Sequence, residues 1–201
     1  MGKLQEERSA ETRQRLVDAT VDCLFERGYA STTTAEIALR AGLSKGAQIY
    51  HFPKKDDLVV AALEYLFAQR LAASREIVRA LKGDRKQRLA MIIDTLWPAY
   101  TGPTFYAWLE LAVASRTDLA LQQAVRSATE KYSAGILTLW QEALEVSTAD
   151  ARRYAQVEQI VNGQMAASAL NHMIMGGEEG AGPKMEFRNV LKEIGTFLLE
   201  R

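Results

Sequence analysis

Residues 33–55 read TTAEIALRAGLSKGAQIYHFPKK, and the spacing of their polar groups is informative. Thr33 offers an N-cap hydroxyl with Glu36 three residues on, the two halves of a capping box. That predicts a short helix from about Thr34 to Ala41, stopped at Gly42. Ser44 caps a second short helix ending near His51 or Phe52. Apolar Ile37, Ala38 and Leu43 are placed to close one helix on the other. A helix, a tight turn and a helix can seat the second helix in the major groove of DNA. An ordinary corner between two helices has the same outline. Charge separates the two readings. From Ile37 to Lys55, nineteen residues include no Asp or Glu but do include Arg40, Lys45, Lys54, Lys55 and His51. The whole chain is balanced, with 25 Lys+Arg against 25 Asp+Glu. Phosphate binding needs only a local patch, because counterion release supplies the affinity. A solvated face balanced by Glu36, Asp56 and Asp57 accounts for the charge, but not for its coincidence with the turn.

Other chemistry finds little footing. The chain has no G-x-S-x-G elbow, no phosphate-cradling glycine loop and no H-E-x-x-H. Its single cysteine, Cys23, falls on an apolar stripe and reads as inert core. One cysteine excludes an internal disulfide framework and a cysteine-rich zinc site, and two histidines disfavour a multi-His metal site. Carboxylates are numerous, but none forms a distinguishable catalytic pair. The expectation is a protein that is not an enzyme and holds no metal or cofactor. The N-terminus MGKLQEERSAETRQR has no apolar targeting core, and nowhere do about 18 apolar residues run uninterrupted, so a cytoplasmic location is expected.

The elements that position the basic segment are helical. Most of the chain follows the 3.6-residue period, which predicts an all-α fold. A first helix spans about Ser9 to Arg27, with Leu16, Ala19, Thr20, Cys23 and Leu24 as its buried stripe and Gly28 as a left-handed stop. Pro53 suits a helix start, and Asp56 and Asp57 fall in the following first turn. Longer helices are expected over about 54–81, 84–97, 103–116, 118–146, 150–175 and 184–199. Their breaks lie at Gly83-Asp84, Pro98, Thr101-Gly102-Pro103 and Gly176-Gly177. This predicts a three-helix helix-turn-helix domain over 1–53 and a six-helix body over 54–201, which the family resemblance given below implies is the ligand-binding and dimerisation domain.

In the larger domain, Trp97, Tyr100, Phe105, Tyr106, Trp108 and Leu109 cluster in sequence beside Pro98 and Gly102. Apolar walls with a few polar groups make a ligand pocket, although plain core packing accounts for any one aromatic. Gln164, Ser168 and Asn171 form a polar row that suits pocket lining or a wet subunit contact, and His172 reads as structural. The candidate ligand contacts are Trp97, Tyr100, Phe105, Trp108, Leu109, Gln164 and Ser168. Glu110, inside an apolar run, is expected to pair with an arginine rather than meet a ligand. The last two helices carry apolar stripes, Val157 to Met173 and Phe187 to Leu198. Two such helices per subunit would build a four-helix interface across a two-fold axis, with Val161, Met165, Ala169, Phe187, Leu191 and Ile194 as interface candidates.

The run from Arg13 to Leu58 resembles the DNA-binding domain of the tetracycline-repressor (TetR) family. The resemblance is carried by Leu16–Leu24, Gly28-Tyr29, Thr32–Thr34, Glu36-Ile37-Ala38, Ala41–Ala47, Tyr50-His51-Phe52 and Lys55, about a quarter of the chain. It implies a homodimeric repressor whose small domain binds a palindromic operator and whose larger domain binds a small, largely apolar or aromatic effector that releases the DNA. It also implies roles. Thr34 would contact phosphate, Ser44, Lys45, Gly46 and Ala47 would open the recognition helix onto DNA, Tyr50 and His51 would meet phosphates, and Lys55 would clamp the backbone. Lys45 would reach a guanine edge or a phosphate. The family commonly has an apolar residue then Tyr where this chain has Gln48 and Ile49. That removes an aromatic phosphate contact and leaves Gln48 either reading a base or lying idle on the surface. A helical ligand-binding or interaction protein with a weakened DNA-binding module is the alternative.

Overall fold

The computed structural model describes residues 2–147, 150–176 and 185–199, and side chains over 5–147, 150–176 and 188–197. The described residues form helices and turns without strands. The helices are α1 (Gly2–Ser31), α2 (Thr34–Arg40), α3 (Lys45–His51), α4 (Lys55–Ala80), α5 (Arg85–Thr95), α6 (Trp97–Thr101), α7 (Pro103–Ala114), α8 (Leu119–Ala143), α9 (Ala151–Ile174) and α10 (Met185–Leu199), with a 3-10 turn at Ser115–Thr117. The all-α expectation and the order of the elements are met. Two details differ. α1 starts at Gly2, because nothing in the polar stretch before Ser9 breaks a helix. The break around Pro98 holds a short helix of its own, α6, which has Pro in its first turn.

The described chain divides into two compact units: Met1–Gln69 with Pro103–Lys131, and Arg70–Gly102 with Tyr132–Arg201. In the first, α1 packs against α2 and α7. Leu16, Leu24, Ile37, Leu58, Leu63 and Leu111 are buried there, and the predicted α1 stripe faces that core throughout. Gly28 sits at φ 71 inside α1, as a left-handed stop requires.

In the second unit, α10 packs on α5 and α9, and α9 on α6. Asp84 and Gln87 form a reciprocal capping box at the start of α5. Lys192 of α10 donates to Asp94 of α5 at 2.7 Å. Gly195 lets α10 lie close, since a Cβ there would come 2.9 Å from the Leu89 side chain.

The same core corrects the interface expectation. Val161, Met165, Ala169 and Leu191 are buried inside this unit, so they are core and not subunit contact. An amphipathic helix offers one strongly apolar stripe, and the fold of its own chain takes it first. Ile194 does remain half exposed, while the Phe187 side chain lies outside the described residues.

Candidate nucleic-acid interface

The two short helices are fixed by their caps. Thr33 Oγ1 accepts the Glu36 N–H at 3.2 Å, and Ser44 Oγ accepts the Ala47 N–H at 3.2 Å. Between them Gly42 takes φ +64, a left-handed conformation that side chains resist. Leu43 N–H closes the turn on Ala38 O at 2.9 Å. Arg15 of α1 donates to Ala41 O at 2.6 Å, placing a cation where the α2 dipole ends negative. The turn is thus held from three directions, and the outer face of α3 has a fixed orientation.

On that face Ser44, Lys45 and Gly46 are exposed, and Thr34, Ala47 and His51 are half exposed. Tyr50 is 81% exposed, high for an aromatic ring, and its edge meets His51 with ring centroids 5.0 Å apart. At Gly46 an added Cβ would meet only Ser44 Oγ at 3.8 Å, so the helix start is open to close approach by a partner. Among the described residues no ion pair engages Lys45 or Lys54, which leaves both charges available to an anion.

Three expectations are corrected. Gln48 is 1% exposed, and its side-chain amide donates to Phe52 O, so it neither reads a base nor lies idle on the surface. The buried C-terminal carbonyl of α3 needs a donor, and Gln48 supplies it. Lys55 turns its ammonium inward, donating to Tyr29 O at 2.6 Å with the ring 3.8 Å away, and burial lowers its pKa. Arg40 is consumed by Glu26 at 2.6 Å. The free positive patch is therefore smaller than the sequence suggests.

Residues of α1 that sequence reading missed join this face. A groove of about 740 Å³ is lined by Arg8, Ser9, Thr12, Arg13, Tyr50 and His51 among others. The Arg13 guanidinium lies 4.3 Å from the Phe52 ring centroid. No spacing rule ties an arginine on α1 to a phenylalanine some forty residues later, so the sequence holds no signal for the Arg13–Phe52 contact.

Tyr29 is the junction behind the interface. Its backbone N–H donates to Glu110 Oε2 of α7 at 2.9 Å, and its hydroxyl donates to Asp56 Oδ1 of α4 at 3.0 Å. Burial, then the Asp56 hydrogen bond, push the Tyr29 hydroxyl up to about 12. Glu110 therefore serves a backbone donor left by the Gly28 break instead of an arginine, which corrects that expectation.

The aromatic candidates divide between the units. In the first, Phe105 and Trp108 have centroids 5.8 Å apart, Trp108 Nε1 donates to Thr129 Oγ1 at 3.2 Å, and Leu109 is half-buried. In the second, Tyr100 donates to Asn162 Oδ1 at 2.6 Å, and Trp97 meets His172 edge-on at 5.5 Å. Gln164 is exposed and Ser168 half exposed on α9. Cys23 is buried, which raises its thiol pKa. Among the described residues no three His, Cys, Asp or Glu side chains gather to hold a metal, and no helix is long and apolar enough to cross a membrane.

Comparison with known proteins agrees with this geometry. Residues 16–62 match the family described as bacterial regulatory proteins, tetR family. The HTH-type transcriptional regulator CymR of Pseudomonas putida is 31% identical over 69% of this chain and 68% of its own length. An uncharacterized HTH-type transcriptional regulator of Mycobacterium tuberculosis, Rv2912c, is 33% identical over 68% of this chain and 69% of its own. Among solved structures, SCO7518 of Streptomyces coelicolor A3(2) superposes with a TM-score of 0.72 at 22% identity, over 94% of this chain and 98% of that one. FadR of Bacillus subtilis, solved with stearoyl-CoA, has a TM-score of 0.64 at 18% identity, over 93% and 95%. With its helix-turn-helix face and these relatives together, the chain belongs to the TetR family of DNA-binding transcriptional regulators.

Proposed function

We propose that this regulator is a homodimeric, cytoplasmic repressor that residues 1–53 anchor to a palindromic operator and that a small, largely apolar or aromatic effector releases. The carrying observation is the outer face of α3, where Lys45, Gly46 and Tyr50 stand exposed and, among the described residues, no ion pair engages Lys45. Thr34, Ser44, Ala47 and His51 complete the contact surface, and His51 and Tyr50 continue it into the α1 groove.

Effector binding by residues 54–201 rests on the aromatic content of the body and on the precedent of this fold holding stearoyl-CoA in FadR. The effector must bind the released conformation better than the DNA-bound one, or it shifts nothing. Dimerisation rests on apolar residues left outward: Ile160, Ile174, Val190, Ile194 and Phe197, beside small Gly163 and Ala167 on α9. The weakened-module alternative loses its support, because Gln48 is explained by its role inside α3.

Selection of bound sites from random duplex DNA tests the proposal. A dimeric reader enriches two inverted half-sites with centres about 10 base pairs apart, or a multiple of that. A pool that yields no enriched site, or a single asymmetric one, contradicts it.

A further inference from the structure

The second unit holds a surplus of hydrogen-bond donors. Arg70, at the point where that unit begins on α4, places its guanidinium 5.0 Å from the Tyr100 ring centroid and 5.5 Å from that of Tyr132. It hydrogen-bonds Tyr100, and among the described residues no carboxylate forms an ion pair with it. Trp97 lies one turn before Tyr100 on α6. It is 7% exposed, and its indole N–H is buried with no acceptor among the described residues. Buried donors are nearly always satisfied, so an orphaned one marks a place where something else supplies the acceptor.

Two side-chain acceptors of this unit are already engaged. Tyr100 donates to Asn162 Oδ1, and Asn162 Nδ2 donates to Glu158 Oε1. Burial holds the Glu158 carboxyl above its usual pKa, which weakens it as a partner for a cation. What remains is a guanidinium between two tyrosine rings and a lone indole N–H. A guanidinium presents five N–H donors in a planar fork that matches a carboxylate, and the flanking rings suit an apolar or aromatic body.

Resting on the reading of the body as effector-binding, we infer that the effector is an organic monocarboxylate, with Arg70 holding its carboxylate and the Trp97 N–H as a further donor to it. This selects against cations and against uncharged isosteres. Arg70 is half-buried, and losing a charge-assisted hydrogen-bonded pair there costs about tenfold in affinity.

The test is calorimetric titration of the full chain, without DNA, using benzoate and octanoate alongside benzamide and octanamide. At least one acid is expected to bind saturably, at least tenfold tighter than its amide. Arg70→Met, which keeps the apolar stem, should weaken that acid by at least tenfold, and Trp97→Phe by several-fold. Far-UV circular dichroism checks that each variant is folded, and the acid–amide comparison in the unaltered chain needs no variant. Neither acid binding at millimolar concentration, amides binding as tightly as acids, or a folded Arg70→Met that keeps full affinity would each overturn the inference. Because the titration contains no DNA, its failure is separate from failure of the regulator reading, which site selection decides.

Discussion

Lys45 and Gln48 stand three residues apart on α3, the first exposed and the second buried. Lys45 is exposed and has no ion-pair partner among the described residues, so Lys45→Ala should weaken operator binding and, if the contact is to phosphate, reduce the log–log salt slope by about 0.9. Fluorescence anisotropy across 50–200 mM salt reads both quantities. Gln48 serves the interior, so Gln48→Ala should leave the salt slope alone and cost about 1–3 kcal/mol in a urea melt, the penalty for a buried carbonyl left unmatched. From sequence the two positions looked alike, both polar residues on a short basic helix. Periodicity over seven residues is too short to say which side faces the core, so the sequence alone does not place Gln48. Tyr29 adds a pH dependence. Its hydroxyl is held up to about 12 against an unfolded value of 10.0, so the folded chain keeps a proton that the unfolded chain loses. That contribution is complete below pH 10 and drains away as pH rises toward 12. Tyr132, also pushed up to about 12, acts in the same direction, while Lys55, lowered by burial, acts oppositely. Urea midpoints between pH 9 and 11.5 should therefore fall, and fall less steeply in Tyr29→Phe.

At the scale of elements, most boundaries were legible because caps and breakers are local chemistry. Ser44, Gly28, Gly42 and Asp84 end or start helices where their side chains or φ values demand it. The α1–α7 contact was not legible. Glu110 lies 81 residues from Tyr29, and nothing in an apolar run announces that its one carboxylate will accept a backbone N–H. Gly28→Ala tests this junction. It forces a Cβ into a left-handed conformation at 3.0 Å from the Glu110 carboxylate, and should cost at least about 1–2 kcal/mol in thermal or urea unfolding. A variant as stable as the parent would show that the break tolerates a side chain. α6 was missed for a different reason. Five residues with a proline make no periodic pattern, and the helix is recognisable only once α9 is packed on it.

At the scale of the whole molecule, the apolar stripes of the last helices are legible in the sequence, but the destination of the strongest one is not. Met165 and Leu191 close the core of their own unit, while Ile174, 74% exposed, and Phe197 stand outward. Exposed apolar faces of this kind mark association surfaces. Ile174→Glu combined with Ile194→Glu should therefore turn a sedimenting dimer into a monomer at micromolar concentration, and operator affinity should fall with it because two half-sites are no longer held together. A parent chain that sediments as a monomer would remove the dimer. The central claim is that α3 enters a groove of duplex DNA, and the most direct measurement is anisotropy of a labelled selected duplex titrated with the parent and with Tyr50→Ala across a salt series. Tight binding at 50 mM salt that weakens steeply as salt rises is expected, with a large loss in Tyr50→Ala at unchanged helical content. Binding that ignores salt, or that Tyr50→Ala leaves intact, would contradict it.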